Sequence, residues 1–361
     1  MSALRHLRYA VAAIAVAAAF MATPALAQAP APTPANPWYM AAAFPEASEE
    51  VLSATANNKL YVFAGLAPVW KPKALVFEYD PASNQWGKKK PMKLASHHVA
   101  FASLNNKIYA FGGFVLPQSG PAAWNPINNA WEYDPATDEW KELAPMPTAR
   151  GAASAAAVGG KLYVTGGANS LTGVTENGIH PTRPHNVMGT VEEYDPATNS
   201  WRTRRSLLLP RNHHVTAAAG GRIYVIGGRV GSAFISGTSN NVDLVESYDP
   251  AADLWTARAR MPTARSAMGS GVYKDQYIIT AGGEGQDQRF LAAFKAVEAF
   301  DTSVNRWLVL PSMARQRHGL AAGVVGDRFF AVSGDAQSAG NGLEHSAVNV
   351  NEGLALDLVI K

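Results

Sequence analysis

Two short markers alternate along this chain, and their alternation restricts the fold more than any other feature. The first is an apolar run closed by paired small residues: YVFAG at 61–65, YAFGG at 109–113, YVTGG at 163–167, YVIGG at 224–228, IITAGG at 278–283 and FAVSG at 330–334. The second pairs an aromatic residue with a tryptophan seven positions later: Tyr79 with Trp86, Tyr133 with Trp140, Tyr194 with Trp201, Tyr248 with Trp255 and Phe300 with Trp307. In the first four, Asp-Pro follows the tyrosine. Proline presets the first central dihedral of a type I turn, and the Asn or Asp beyond it suits the exit. Each repeat therefore predicts two alternating strands, a turn through small residues, a variable loop and a hairpin.

Six small-residue pairs stand against five aromatic/tryptophan pairs, so one unit is split between the chain ends. Trp38 precedes Tyr61 by 23 residues, as Trp140 precedes Tyr163, which makes Trp38 to Ala41 an outer strand without a hairpin partner before it. Leu354-Ala355-Leu356-Asp357 is similar to the VEEYD strand of the third unit. Pairing the two closes a ring and leaves no open edge at the seam. The expected fold is all-β, a six-bladed β-propeller over residues 38–361, closed by the N-terminal strand against the C-terminal blade.

A diglycine closing the second strand, then Tyr-Asp-Pro and Trp in the third and fourth, is the pattern of the Kelch repeat, and from Trp38 onward the chain resembles that family. Departures are mild: Ala64-Gly65, Ser333-Gly334, Phe300 for tyrosine and Asp301-Thr302 for Asp-Pro. The glycines read as structural, because a side chain there would collide with neighbouring strands. None lies in the strand–loop–helix setting of a phosphate cradle.

Residues 1–27 predict a signal peptide: Arg5 and Arg8, an apolar run from Ala10 to Ala22, then Ala25-Leu26-Ala27 before Gln28. The run is shorter than the roughly 20 residues of a spanning helix, so no membrane span is expected in the mature chain. Residues 28–37 (QAPAPTPANP) read as an extended Pro/Ala-rich linker. The expected location is periplasmic or secreted. Without cysteine, disulfides, thiol nucleophiles and thiolate metal sites are excluded. Loss of the leader leaves 29 basic against 28 acidic side chains, and nothing in the charge pattern points to nucleic acid.

In a Kelch blade the turn leading into the innermost strand and the loop after the diglycine open on one face. Aligning the blades on the first small residue places Ser48, Ser96, Arg150, Arg211, Arg265 and Arg317 at one position. The next holds Glu49, His97, Gly151, Asn212, Ser266 and His318; the third holds Glu50, His98, Ala152, His213, Ala267 and Gly319, with His214 behind His213. The resemblance implies that Arg150, Arg211 and Arg265 sit where family members reach acidic peptides, and a guanidinium holds a carboxylate through two parallel hydrogen bonds. The eight histidines beyond the leader all map to this face: His97, His98, His180, His185, His213, His214, His318 and His345. Histidine exchanges protons near neutral pH and ligates metals. The long third-blade loop, Ala168 to Gly189, carries Glu176, His180, Arg183 and His185; Glu284, Asp287, Arg289 and Asp335 begin the loops of blades five and six.

Two functions follow as expectations. One is a propeller that binds an anionic or carbohydrate-like ligand, or an exported partner, with Arg150, Arg211, Arg265 and Arg317 as anchors and Glu50, His97, His180, His185, Glu284 and Asp335 around them. The other is an enzyme acting on a small anionic sugar or acid, with His98, His213 or His318 exchanging protons. No cofactor is specified, and no motif fixes a metal-ligand set. The copper-radical oxidases that resemble galactose oxidase need a cysteine, and the plant specifier proteins carry Glu-x3-Asp-x3-His; this chain has neither. The periplasmic sialic-acid mutarotases share the expected architecture.

Overall fold

The structure, a computed structural model, describes residues 31–67, 71–118, 123–171, 179, 185–231, 240–286, 291–338 and 346–361. The leader expected over 1–27 lies outside the described residues. Six four-stranded antiparallel sheets are arranged as blades. Their innermost strands are Glu49–Ala56, Ala100–Leu104, Ser154–Val158, Val215–Ala219, Gly269–Tyr273 and Ala321–Val325. Each packs against the innermost strands on either side, so the six enclose a central channel. Among the described residues no helix is long and apolar enough to cross a membrane.

The second member of each diglycine explains why the markers have the form they do. The first position lies near φ 60°, a region open to Ala64 (62°) and Ser333 (55°). The second lies farther out, at 107° in Gly65 and Gly113 and 91° in Gly334, where only glycine is at ease. At five of the six junctions its N–H donates across to the next blade: Gly113 to the Arg150 carbonyl (2.9 Å), Gly167 to Arg211 (3.0 Å), Gly228 to Arg265 (3.0 Å), Gly283 to Arg317 (2.8 Å) and Gly334 to Ser48 (3.0 Å). Blades are thus sewn together by backbone bonds that a side chain would push apart.

Tryptophans link blades at the outer rim. Tyr and Trp face each other in register, Tyr194 opposite Trp201 for example. Each indole N–H donates to a carbonyl in the segment that leads from the preceding blade's outer strand into its own blade: Trp86 to Ala42, Trp140 to Lys90, Trp201 to Ala144, Trp255 to Arg205 and Trp307 to Ala259, at 2.8–3.2 Å. Trp38 makes the sixth such bond, to Pro311 (2.8 Å). Its strand, Trp38–Met40, pairs with Asn351–Ala355, Trp38 opposite Leu354. That C-terminal strand ends at Ala355, two residues before the expected boundary, and a helical turn over Leu356–Val359 buries Leu356.

Candidate functional site

The aligned arginines do not face a ligand; this corrects the expectation that Arg150, Arg211, Arg265 and Arg317 are anchors. All four side chains are wholly buried, and each grips a glutamate on the third strand of its own blade: Glu192 (2.6 Å), Glu246 (2.9 Å), Glu298 (2.8 Å) and Glu352 (2.6 Å). A second guanidinium nitrogen reaches a second-strand carbonyl, as from Arg211 to Val225 (3.0 Å). The backbone carbonyl of each arginine is held by the diglycine of the preceding blade. In blades 1 and 2 the arginine is Ser48 or Ser96, and the residue aligned with the glutamate is Phe77 or Trp131. Charge pair and aromatic filler are therefore alternative solutions to one internal space.

The position two residues farther on forms a collar around the channel. Glu50, His98, Ala152, His213, Ala267 and Gly319 all take left-handed backbone conformations, with φ between 50° and 55°. Their peptides are chained from blade to blade: Ala152 N–H to His98 (3.0 Å), His213 to Ala152 (3.0 Å), Ala267 to His213 (2.9 Å), Gly319 to Ala267 (3.0 Å), and Val51 to Gly319 (3.1 Å). Left-handed backbone is costly for residues other than Gly, Asn and Asp, and this chain of inter-blade bonds holds it. Glu50, His98 and His213 line the cavity of about 140 Å³ below the collar, with Ser53, Phe101, Thr216 and Ser270 deeper in.

Around the collar runs a contiguous set of titratable groups. His98 Nε2 lies 3.3 Å from Glu50 Oε2, and His318 Nε2 lies 3.8 Å from Glu50 Oε1 and 3.6 Å from Glu284. Glu284 accepts from Arg229 (2.6 Å), which also donates to His213 Nε2 (2.9 Å). His213 Nδ1 meets Asn212 Oδ1 at 2.6 Å. An amide oxygen accepts only, so Nδ1 carries the proton and Nε2 is the acceptor. His213 is thereby held neutral with its lone pair taken, against the expectation that it exchanges protons. The ring of His98 contacts that of His213, centroids 4.7 Å apart, and completes the circuit.

Burial sets the protonation states. Glu50 is pushed up to about 7, first by burial, with Glu284 and Glu49 adding and His318 and Arg229 opposing. His98 and His213 lie well below the ordinary imidazole value through burial, aided by Arg229. Burial alone would lower His318 too, but Glu284, Glu50, Glu49 and Asp335 more than offset it and raise it. Glu50 is accordingly the cavity-lining group that changes charge near neutral pH, which is what general acid/base chemistry requires.

Other expected site residues lie elsewhere. His97 is buried against Phe114 and Trp124 and meets His98 Nδ1 to Nδ1 at 2.5 Å; it does not line the cavity. His214 borders the cavity, but its Nε2 is engaged by Thr165 (3.0 Å). Asp335 holds the Ser346 N–H (2.9 Å) and hydroxyl. His318 and Glu284 stand behind Glu50, and His185 reaches Asn212 at 3.4 Å. His180, His345, Glu176, Arg183, Asp287 and Arg289 lie outside the described residues. Among the described residues no group of three or more His, Asp or Glu is placed to hold a metal ion. Sequence reasoning missed Arg229, although it follows its diglycine as Glu284 and Asp335 follow theirs.

Fold and collar together define a propeller of Kelch repeats whose loop face carries the polar groups. The chain matches the family described as Attractin/LZTR1 beta-propeller over residues 35–232, more than half its length, and the Kelch motif over 210–262. It belongs to the Kelch-repeat β-propeller family. Kelch-like protein terF of Aspergillus terreus is 31% identical over 75% of this chain and 57% of its own length; Kelch-like protein 25 of Xenopus tropicalis is 30% identical over 57% of this chain and 32% of its own. The chain thus spans between about a third and just over half of these relatives. The solved structure of YjhT covers 86% of this chain and 95% of its own, with TM-score 0.67 and 16% identity, a likeness of fold.

Proposed function

We propose that this propeller binds a small hydroxylated or anionic ligand at the collar, against Glu50 and His98. The carrying observation is that Glu50 lines the channel cavity while standing 3.3 Å from His98 Nε2 and 3.8 Å from His318 Nε2. A carboxyl that is half protonated at neutral pH both donates and accepts, which suits hydroxyls and carboxylates alike. Arg229 and His318, from blades 4 and 6, set the local charge in place of the four aligned arginines. The leader pattern supports export to the periplasm or beyond, with Gln28 expected as the N-terminus of the mature chain on sequencing.

The test is calorimetric titration with neutral monosaccharides and sugar acids. A binding compound should lose about tenfold in affinity in His98→Gln, the roughly 1.4 kcal/mol of one lost buried hydrogen bond. Equal binding by wild type and variant would move the ligand away from the collar. A second reading, acid/base catalysis on a small sugar acid, draws on the Glu50 pKa of about 7. It predicts proton or anomer exchange, observed by NMR, that disappears in Glu50→Gln.

A further inference from the structure

We propose that the collar takes up one proton with each monoanionic ligand it binds, and that Glu50 receives it. The inference rests on the ligand-binding reading above and adds the charge of the ligand and its linkage to pH. Glu50 faces His98 of blade 2 on one side and His318 of blade 6 on the other, at 3.3 and 3.8 Å. Glu49 neighbours it on its own strand, and behind His318 stand Glu284 of blade 5 and Arg229 of blade 4, themselves paired at 2.6 Å. His98 and His213 are neutral, since burial holds both well below the usual range.

The charges then decide the outcome. Arg229 and His318 balance Glu284 and Glu49, and Asp335 beside His318 adds a further negative charge, so ionising Glu50 adds negative charge that nothing in the group offsets. An anion entering beside an ionised, nearly buried carboxylate (12% exposed) meets uncompensated like charge where little water screens it. Protonation removes that charge and also gives the carboxyl an O–H donor, where the ionised form only accepts. A bound carboxylate in turn favours the protonated form, because binding and proton uptake are reciprocal.

Titration with D-glucuronate, and with D-glucose as its uncharged counterpart, distinguishes the outcomes. Repeating the calorimetry in buffers of different ionisation enthalpy counts protons. For wild type, affinity for glucuronate should fall about tenfold between pH 6 and pH 8, with close to one proton taken up at pH 8, as a single site titrating near 7 requires. Glucose should bind without that dependence. In Glu50→Gln the dependence should vanish, and glucuronate should bind at pH 8 as wild type does at pH 6. A wild type that binds glucuronate with flat affinity and no proton uptake overturns the proposal and leaves the binding reading standing. So does a slope that survives in Glu50→Gln, or an equal slope for glucose. Failure of both sugars to bind at pH 6 overturns the proposal together with the reading beneath it.

Discussion

Arg265→Ala should cost about 3–5 kcal/mol of stability, the loss expected when one partner of a buried ion pair is removed. Its guanidinium is fully enclosed and holds Glu298 at 2.8 Å, so truncation leaves a carboxylate sealed from water beside a void. The same holds for Arg150 with Glu192, Arg211 with Glu246 and Arg317 with Glu352. Removing both charges is a different matter. Blades 1 and 2 carry Ser48 with Phe77 and Ser96 with Trp131 at these positions, and both rings are buried or nearly so. The double substitution Arg265→Ser with Glu298→Phe copies blade 1 and should recover at least half the loss. Urea midpoints of wild type, single and double variants decide it. A single variant as stable as wild type would mean that the arginine is not internally paired.

Acidification should unfold the protein well before its carboxylates are all protonated. His97 and His214 are buried as neutral rings, both lowered to about 3, chiefly by burial. An unfolded chain protonates them near 6.5, so below that pH the unfolded state binds more protons than the native one, and stability falls as pH falls. Each contributes about 1.4 kcal/mol per pH unit. His98 and His213, also lowered, act in the same direction. Glu50 acts in the opposite direction: raised to about 7, it gains a proton on folding between the unfolded carboxyl value and 7, and stabilises as pH drops through that window. One opposing group against several leaves a net loss. Melting temperature should fall steeply from pH 6.5 and the fold should be gone by about pH 4, given typical stabilities of roughly 5–15 kcal/mol. Replacing His214 by Gln should flatten the curve. A melting temperature unchanged between pH 7 and 4.5 would mean that the rings are not held neutral.

The arginine–glutamate pairs were legible before any coordinates, though not by reading one aligned position at a time. Repeats within one chain act as their own alignment: wherever Arg150, Arg211, Arg265 or Arg317 occupies the first position, one aligned third-strand position holds Glu192, Glu246, Glu298 or Glu352, and where serine replaces the arginine, Phe77 or Trp131 stands at that position. Reading the arginine column alone made it resemble a cationic patch. Arg229 was legible in a similar way, as the fourth-blade residue after the diglycine.

What the amino-acid order determines by itself is the repeat and everything that repeats: six blades, the tryptophan that links each to its neighbour, and glycine at the outlying φ of every second diglycine position. These rest on local dihedrals and fixed spacing, which a sequence displays directly. Only tertiary structure decided how the paired histidines divide, with His98, His213 and His214 at the cavity and His97 behind it. Strand alternation assigns faces where the backbone is extended, but His98 and His213 stand at φ 53°, outside the period of two. Only tertiary structure, too, could join Glu50 of blade 1 to His318 of blade 6, Glu284 of blade 5 and Arg229 of blade 4. Those residues are far apart in the chain and meet because closing the ring carries the first blade round to the last.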